Sequence, residues 1–117
     1  MLLFAAALAA PLALHAEALQ VTDAHLGKGV QDRKIVDEGA EFVLNDKVFL
    51  LVKITGGPAE VKVNWKHGDK ADSFPLKVGG NPWRTFASRT MHQTGDWTVT
   101  VTDDKDQELK EMKFIVK

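Results

Sequence analysis

From Leu19 onward, apolar and polar residues alternate in short runs, and no segment sustains the three-to-four-residue spacing of an amphipathic helix. "VKVNW" sets Val61, Val63 and Trp65 on one face and Lys62 and Asn64 on the other. "WTVTVT" does the same with Trp97, Val99 and Val101 against Thr98, Thr100 and Thr102. "SFPLKV" aligns Phe74, Leu76 and Val78, but Pro75 cannot donate to a ladder, which predicts an edge strand or a bulge. "MKFIV" turns Met112, Phe114 and Val116 inward. "VFLLVKI" begins apolar on both faces, as a covered central strand does.

Turn signals separate these runs. "KHGD" and "DDKDQ" predict hairpin turns, "TGGP" a longer connection, and "VGGNP" a break between two further strands. "GKGVQDRKIVDEGAEF" lacks alternation and predicts a loop from an opening strand to a short one around Phe42. The predicted strands are 19–26, 41–44, 47–54, 60–66, 72–78, 83–90, 96–103 and 109–116. Seven or eight strands in about 100 residues predict an all-β fold, an immunoglobulin-like two-sheet sandwich of antiparallel strands. A small closed barrel is the alternative. No internal repeat or low-complexity linker divides 19–117, which reads as one domain.

The first residues differ from this pattern. Met1 to Ala16 carries no charged side chain, and its apolar run is shorter than the roughly 20 residues that span a bilayer. It matches the apolar region of a secretory signal peptide. Ala16-Glu17-Ala18 supplies a small-x-small cleavage pattern, predicting removal of 1–18, with a cut after Ala16 as the alternative. No Lys or Arg follows Met1, so the positive leading region reduces to the amino terminus. The expected location is the periplasm or the exterior, without stable membrane insertion. The absence of cysteine removes lipid attachment behind the signal and leaves stability to the core alone. A formal net charge of −1, with lysines scattered among acids, argues against nucleic acid as a partner.

Candidate chemistry is sparse. His15, His25, His67 and His92 have no metal-ligand spacing, and "DDKD" lacks the glycine and distal glutamate of a calcium loop. There is no nucleophile elbow, no cysteine nucleophile and no phosphate loop. The chain is therefore expected to be non-enzymatic, with no cofactor and no metal. The informative stretch is "NPWRTFASRT". Alternation places Trp83 with Thr85, Ala87 and Arg89, and Arg84 with Phe86 and Ser88. Either Trp83 or Phe86 is core and the other an exposed anchor, or a bulge buries both. Arg84 and Arg89 have guanidinium groups suited to a carboxylate or phosphate, or to pairing with nearby acids.

The order of segments also resembles a bacterial family, the domain of unknown function 2914. The resemblance rests on "LGKGVQDRKIV", Phe42, "VNW", "WRTFAS", "GDWTVTVTD" and the closing "FIV", and so runs from Gly27 to Val116. Asn64 stands where a histidine precedes the tryptophan in many relatives. The resemblance implies an envelope-associated β domain and no established activity. Together these features predict a binding module for an envelope protein or polysaccharide, acting through Trp83, Arg84, Phe86, Ser88 and Arg89. The competing expectation is a structural protein that self-associates through a sheet edge.

Overall fold

A computed structural model describes residues 18–117. The predicted signal peptide, except for Ala18, lies outside the described residues. Ten strands follow in order: β1 (Gln20–Gly27), β2 (Gly29–Gln31), β3 (Lys34–Val36), β4 (Glu41–Phe42), β5 (Lys47–Thr55), β6 (Ala59–His67), β7 (Lys70–Val78), β8 (Trp83–Thr90), β9 (Gly95–Thr102) and β10 (Glu108–Val116). They form a three-stranded sheet in the order β1-β5-β8 and a five-stranded sheet in the order β4-β10-β9-β6-β7. β2 and β3 make a separate small hairpin. The predicted all-β two-sheet sandwich is the architecture found. All pairings are antiparallel except the short β4–β10 contact, which is parallel.

The apolar faces read from the alternation meet between the sheets. Val48, Leu50, Val52 and Ile54 of β5 are buried against Val61, Val63 and Trp65 of β6 and Trp97, Val99 and Val101 of β9. Each such aliphatic side chain contributes on the order of 1.5–3 kcal/mol when removed from water. Phe114 organises the aromatic part of this core. Its ring meets Phe42 edge-on at 5.6 Å and Trp65 edge-on at 6.2 Å, and it stacks on Trp97 at 6.1 Å. β5 is central in its sheet, as its doubly apolar start predicts, and Leu51 on its outer face is also buried. β7 is an edge strand, where Pro75 is tolerated. Its apolar face fades along its length: Val78 is buried, whereas Phe74 is 50% exposed.

The predicted loop between β1 and β4 is corrected by the structure. It carries the β2–β3 hairpin, which turns at Asp32 and Arg33 with φ of 51° and 64°. Two successive positive φ values define the tight turn that matches strand twist, but such turns usually use Asn-Gly or Asp-Gly. Asp-Arg hides the signal. The hairpin folds back over the outer face of β1, and Gly27 permits it. A Cβ at Gly27 would lie 2.5 Å from the Val36 carbonyl oxygen and 2.6 Å from the Ile35 side chain.

Candidate functional site

β8 pairs with β5 from Thr90–Lys47 to Trp83–Ile54 without a register shift. No bulge rescues the mixed sequence of this strand, so strict alternation divides the five predicted site residues. Arg84, Phe86 and Ser88 share the outer face with their β5 partners Lys53, Leu51 and Phe49. Trp83 and Arg89 belong to the inner side, at opposite ends of the strand.

Neither Trp83 nor Phe86 is core, which corrects the expectation that one of them, or both through a bulge, is buried. Their exposures are 40% and 48%. Trp83 pairs with Ile54 near the end of the sheet, and its indole covers Gly79 and Gly80. A Cβ at Gly79 would come within 2.9 Å of the indole, so these glycines provide a flat seat for the ring. Phe86 stands on the outer face, its ring 5.9 Å from Phe49.

Arg89 serves the sandwich. It pairs with Asp72 of β7, and its guanidinium lies 4.9 Å over the Trp97 ring. It thereby joins the edge strands of the two sheets, far along β8 from Arg84. The two arginines do not converge with Trp83 on one patch.

Arg84 has different company. Across the outer face, Asp23, Lys53 and Arg84 lie in one row of register partners on β1, β5 and β8. Lys53 and Arg84 are thus like charges on directly opposed residues, an arrangement that costs stability. The β2–β3 turn brings Arg33 to the same place. Arg33, Lys53, Pro82, Trp83 and Arg84 line a hollow of about 410 Å³. Among the described residues, no carboxylate lies within 4.0 Å of the cationic groups of Arg33, Lys53 or Arg84.

The nearby acids make their closest contacts with a histidine. A second hollow of about 300 Å³, lined by the same Arg33, Lys53 and Arg84, also contains His25, Asp23 and Glu38. His25 Nδ1 lies 2.5 Å from Glu38 Oε2, and Nε2 lies 2.9 Å from Asp23 Oδ1. A carboxylate accepts but does not donate, so satisfying both contacts requires both ring nitrogens to carry protons. The hydrogen bond that His25 donates to Glu38, followed by the Asp23 contact and the charge of both acids, raises the His25 pKa above its ordinary 6.5 against an opposing desolvation. His25 thus contacts both carboxylates.

This arrangement can hold an anion through three unpaired donors-only side chains beside an open indole. Ser73 donates to Asn64 Oδ1, and His67 Nε2 lies 2.8 Å from the Thr94 carbonyl oxygen. Among the described residues, no group of three His, Cys, Asp or Glu side chains is placed to hold a metal ion. Among them also, no helix is long and apolar enough to cross a membrane.

Sequence reasoning found Trp83 and Arg84 but missed Lys53 and Arg33. Lys53 was visible as the polar end of the outer face of "VFLLVKI", and the register to β8 supplies the rest. Arg33 had no signal beyond a turn of unusual composition. Asn64, at the position of the family histidine, donates to the hydroxyls of Thr100 and Thr102, each at 3.1 Å. It belongs to the polar outer face of the five-stranded sheet, away from the cationic hollow.

None of the curated proteins matches the sequence. Among solved structures, the chain is similar to the crystal structure of a Niemann-Pick type C2 protein from the Japanese carpenter ant. The identity is 14%, the TM-score 0.44, and the match covers 89% of this chain and 95% of that one. Residues 58–116 match a family model described as a protein of unknown function, DUF2914. The matched span contains the "VNW", "WRTFAS", "GDWTVTVTD" and "FIV" segments, whereas the β2–β3 hairpin and Phe42 precede it. With half of its length matched, the chain belongs to the DUF2914 family.

Proposed function

We propose that this chain is an exported, non-catalytic module that binds an anionic component of the cell envelope at the cationic hollow. The carrying observation is the convergence of Arg33, Lys53 and Arg84 from three different segments, with no carboxylate partner within 4.0 Å among the described residues. Opposed like charges weaken a sheet, and a bound anion would neutralise them. The export half of the proposal is supported by the uncharged, alanine- and leucine-rich start of the sequence.

Immobilised mature protein, presented with inorganic polyphosphate and polygalacturonate at low ionic strength, is expected to retain at least one polymer and release it as salt rises. The double variant R33Q/R84Q is expected to lose that retention. Absence of binding to both polymers, or binding indifferent to the double variant, refutes the site. Fractionation of bacteria expressing the full chain tests export, and an unprocessed cytoplasmic product refutes it.

Self-association through a sheet edge is the second reading, favoured by the 50% exposure of Phe74 on edge strand β7. Pro75 beside it works against strand addition, because it offers no N–H to an incoming strand. Sedimentation across a wide concentration range decides the matter, and a constant monomer removes this reading.

A further inference from the structure

We infer that the ligand of the cationic hollow is an acidic saccharide, with a pyranose ring against Trp83 and its carboxylate or phosphate held by Arg33, Lys53 and Arg84. The inference rests on the anion-binding reading above and adds the identity of the group beside the charge. A bare anion needs only the cations. Here the hollow of about 410 Å³ also contains the indole of Trp83 and the ring of Pro82.

The indole is a prepared surface. One side is seated on Gly79 and Gly80, where a Cβ would lie 2.9 Å and 3.4 Å from ring atoms. The residue nonetheless remains 40% exposed. Asn81 reinforces the turn beneath it by accepting a hydrogen bond from the Gly56 N–H at 3.0 Å. A fixed, half-open aromatic plane suits the C–H face of a sugar ring, whose polarised hydrogens meet the negative face of the indole. Ordering such a plane on binding is inexpensive, because it is already held.

The charged groups fit the other half of the ligand. Arg84 follows Trp83 directly and points to the opposite face of the strand, so the two flank the sheet end rather than stack on each other. Arg33 reaches in from the β2–β3 turn, held at a φ of 64°, an uncommon conformation for a side-chain-bearing residue. Two guanidinium forks and one ammonium give more donors than a single carboxylate can accept, which leaves donors for sugar hydroxyls. A polynucleotide is disfavoured. Single strands are gripped by successive stacking rings along a basic groove, whereas this hollow has one exposed indole.

Trp65 and Trp97 are 1% and 3% exposed, so quenching of the mature protein's fluorescence by a saccharide reports chiefly on Trp83. Titration with trigalacturonate is expected to change the emission and to saturate, while neutral trigalactose has no effect at the same concentrations. Glucose 6-phosphate in place of trigalacturonate distinguishes a phosphosugar from a uronate, and saturation by either supports the inference. By calorimetry, Trp83→Ala is expected to weaken the acidic saccharide about tenfold. Trp83→Phe should recover part of that loss, and polyphosphate affinity should stay within about twofold of the parent. Circular dichroism checks that both variants remain folded.

If polyphosphate binds but Trp83→Ala leaves saccharide affinity unchanged, the saccharide inference is overturned and the anion site stands. Polyphosphate binding without binding of either acidic saccharide has the same meaning. If no anion binds, both fail. An oligothymidylate that binds as tightly as trigalacturonate, with the same dependence on Trp83, overturns the saccharide in favour of a single strand.

Discussion

Arg84→Glu should make the protein more stable while abolishing the proposed anion binding. Arg84 and Lys53 are directly opposed across the β8–β5 ladder, and neither cationic group has a carboxylate within 4.0 Å among the described residues. Two unit charges about 7 Å apart in water repel by roughly 0.6 kcal/mol. Cross-strand pairs on a sheet face span about 0.2–1 kcal/mol, attractive or repulsive. Reversing one charge removes the repulsion and adds an attraction of similar size, about 1 kcal/mol together. For a domain near 100 residues, that corresponds to a rise in Tm of about 4–8 °C.

The assay is thermal unfolding by circular dichroism near pH 7, at low salt and again at about 0.5 M salt. Arg84→Gln is the intermediate case, since it ends the repulsion without creating an attraction, and should gain about half as much. High salt should shrink both differences, because the Debye length falls well below the separation of the groups. Glu is a slightly poorer strand former than Arg, which trims the gain without reversing it. A Tm that falls in both variants at low salt would falsify the reasoning. It would mean that Arg84 is held by a stabilising contact and is not kept for a ligand.

Two further outcomes follow from the same structure. His25 has a folded pKa raised above its ordinary 6.5 by Glu38 and then Asp23, so its contribution to stability is complete below about pH 6.5 and is lost as pH rises through the folded value. Parent minus His25→Gln stability, measured by urea unfolding across pH 5–9, should therefore decline with pH, and a flat difference rejects the imidazolium. Arg89→Ala should cost about 1–3 kcal/mol through loss of the Asp72 pair and the Trp97 contact. It should leave trigalacturonate affinity unchanged, and a matching loss of affinity would return Arg89 to the site.

Most of the fold was legible because the sandwich core is built from period-two alternation. Val61-Val63-Trp65 and Trp97-Val99-Val101 are buried as their pattern predicts. The central place of β5 and the edge place of β7 followed from one doubly apolar run and one proline. The β2–β3 hairpin was not legible, for two physical reasons. Its strands are three residues each, too short to display alternation, and its turn uses Asp-Arg where the conformation favours glycine. The structure accommodates it at Gly27, whose missing side chain makes room for Ile35.

The candidate site was half legible, and the missing half explains why adjacency misleads. Trp83 and Arg84 are neighbours in the chain, yet alternation sends them to opposite sides of the strand. They line one hollow only because Trp83 stands at the sheet end, where the inner side is no longer covered, and its ring turns over Gly79. Arg89 fits the chemistry equally well on paper, but it lies where the sheets meet, and Asp72 and Trp97 take it up. What separates the two arginines is therefore the company each keeps. Asp72 answers Arg89, whereas the β5 partner of Arg84 is another cation. Two such residues on opposed strands, with a third cation delivered by a turn, gather three positive charges where Asp23 is the acid opposed to Lys53. The proposed anion would balance that charge, and the seat under Trp83 is the reason for proposing that it carries a sugar ring.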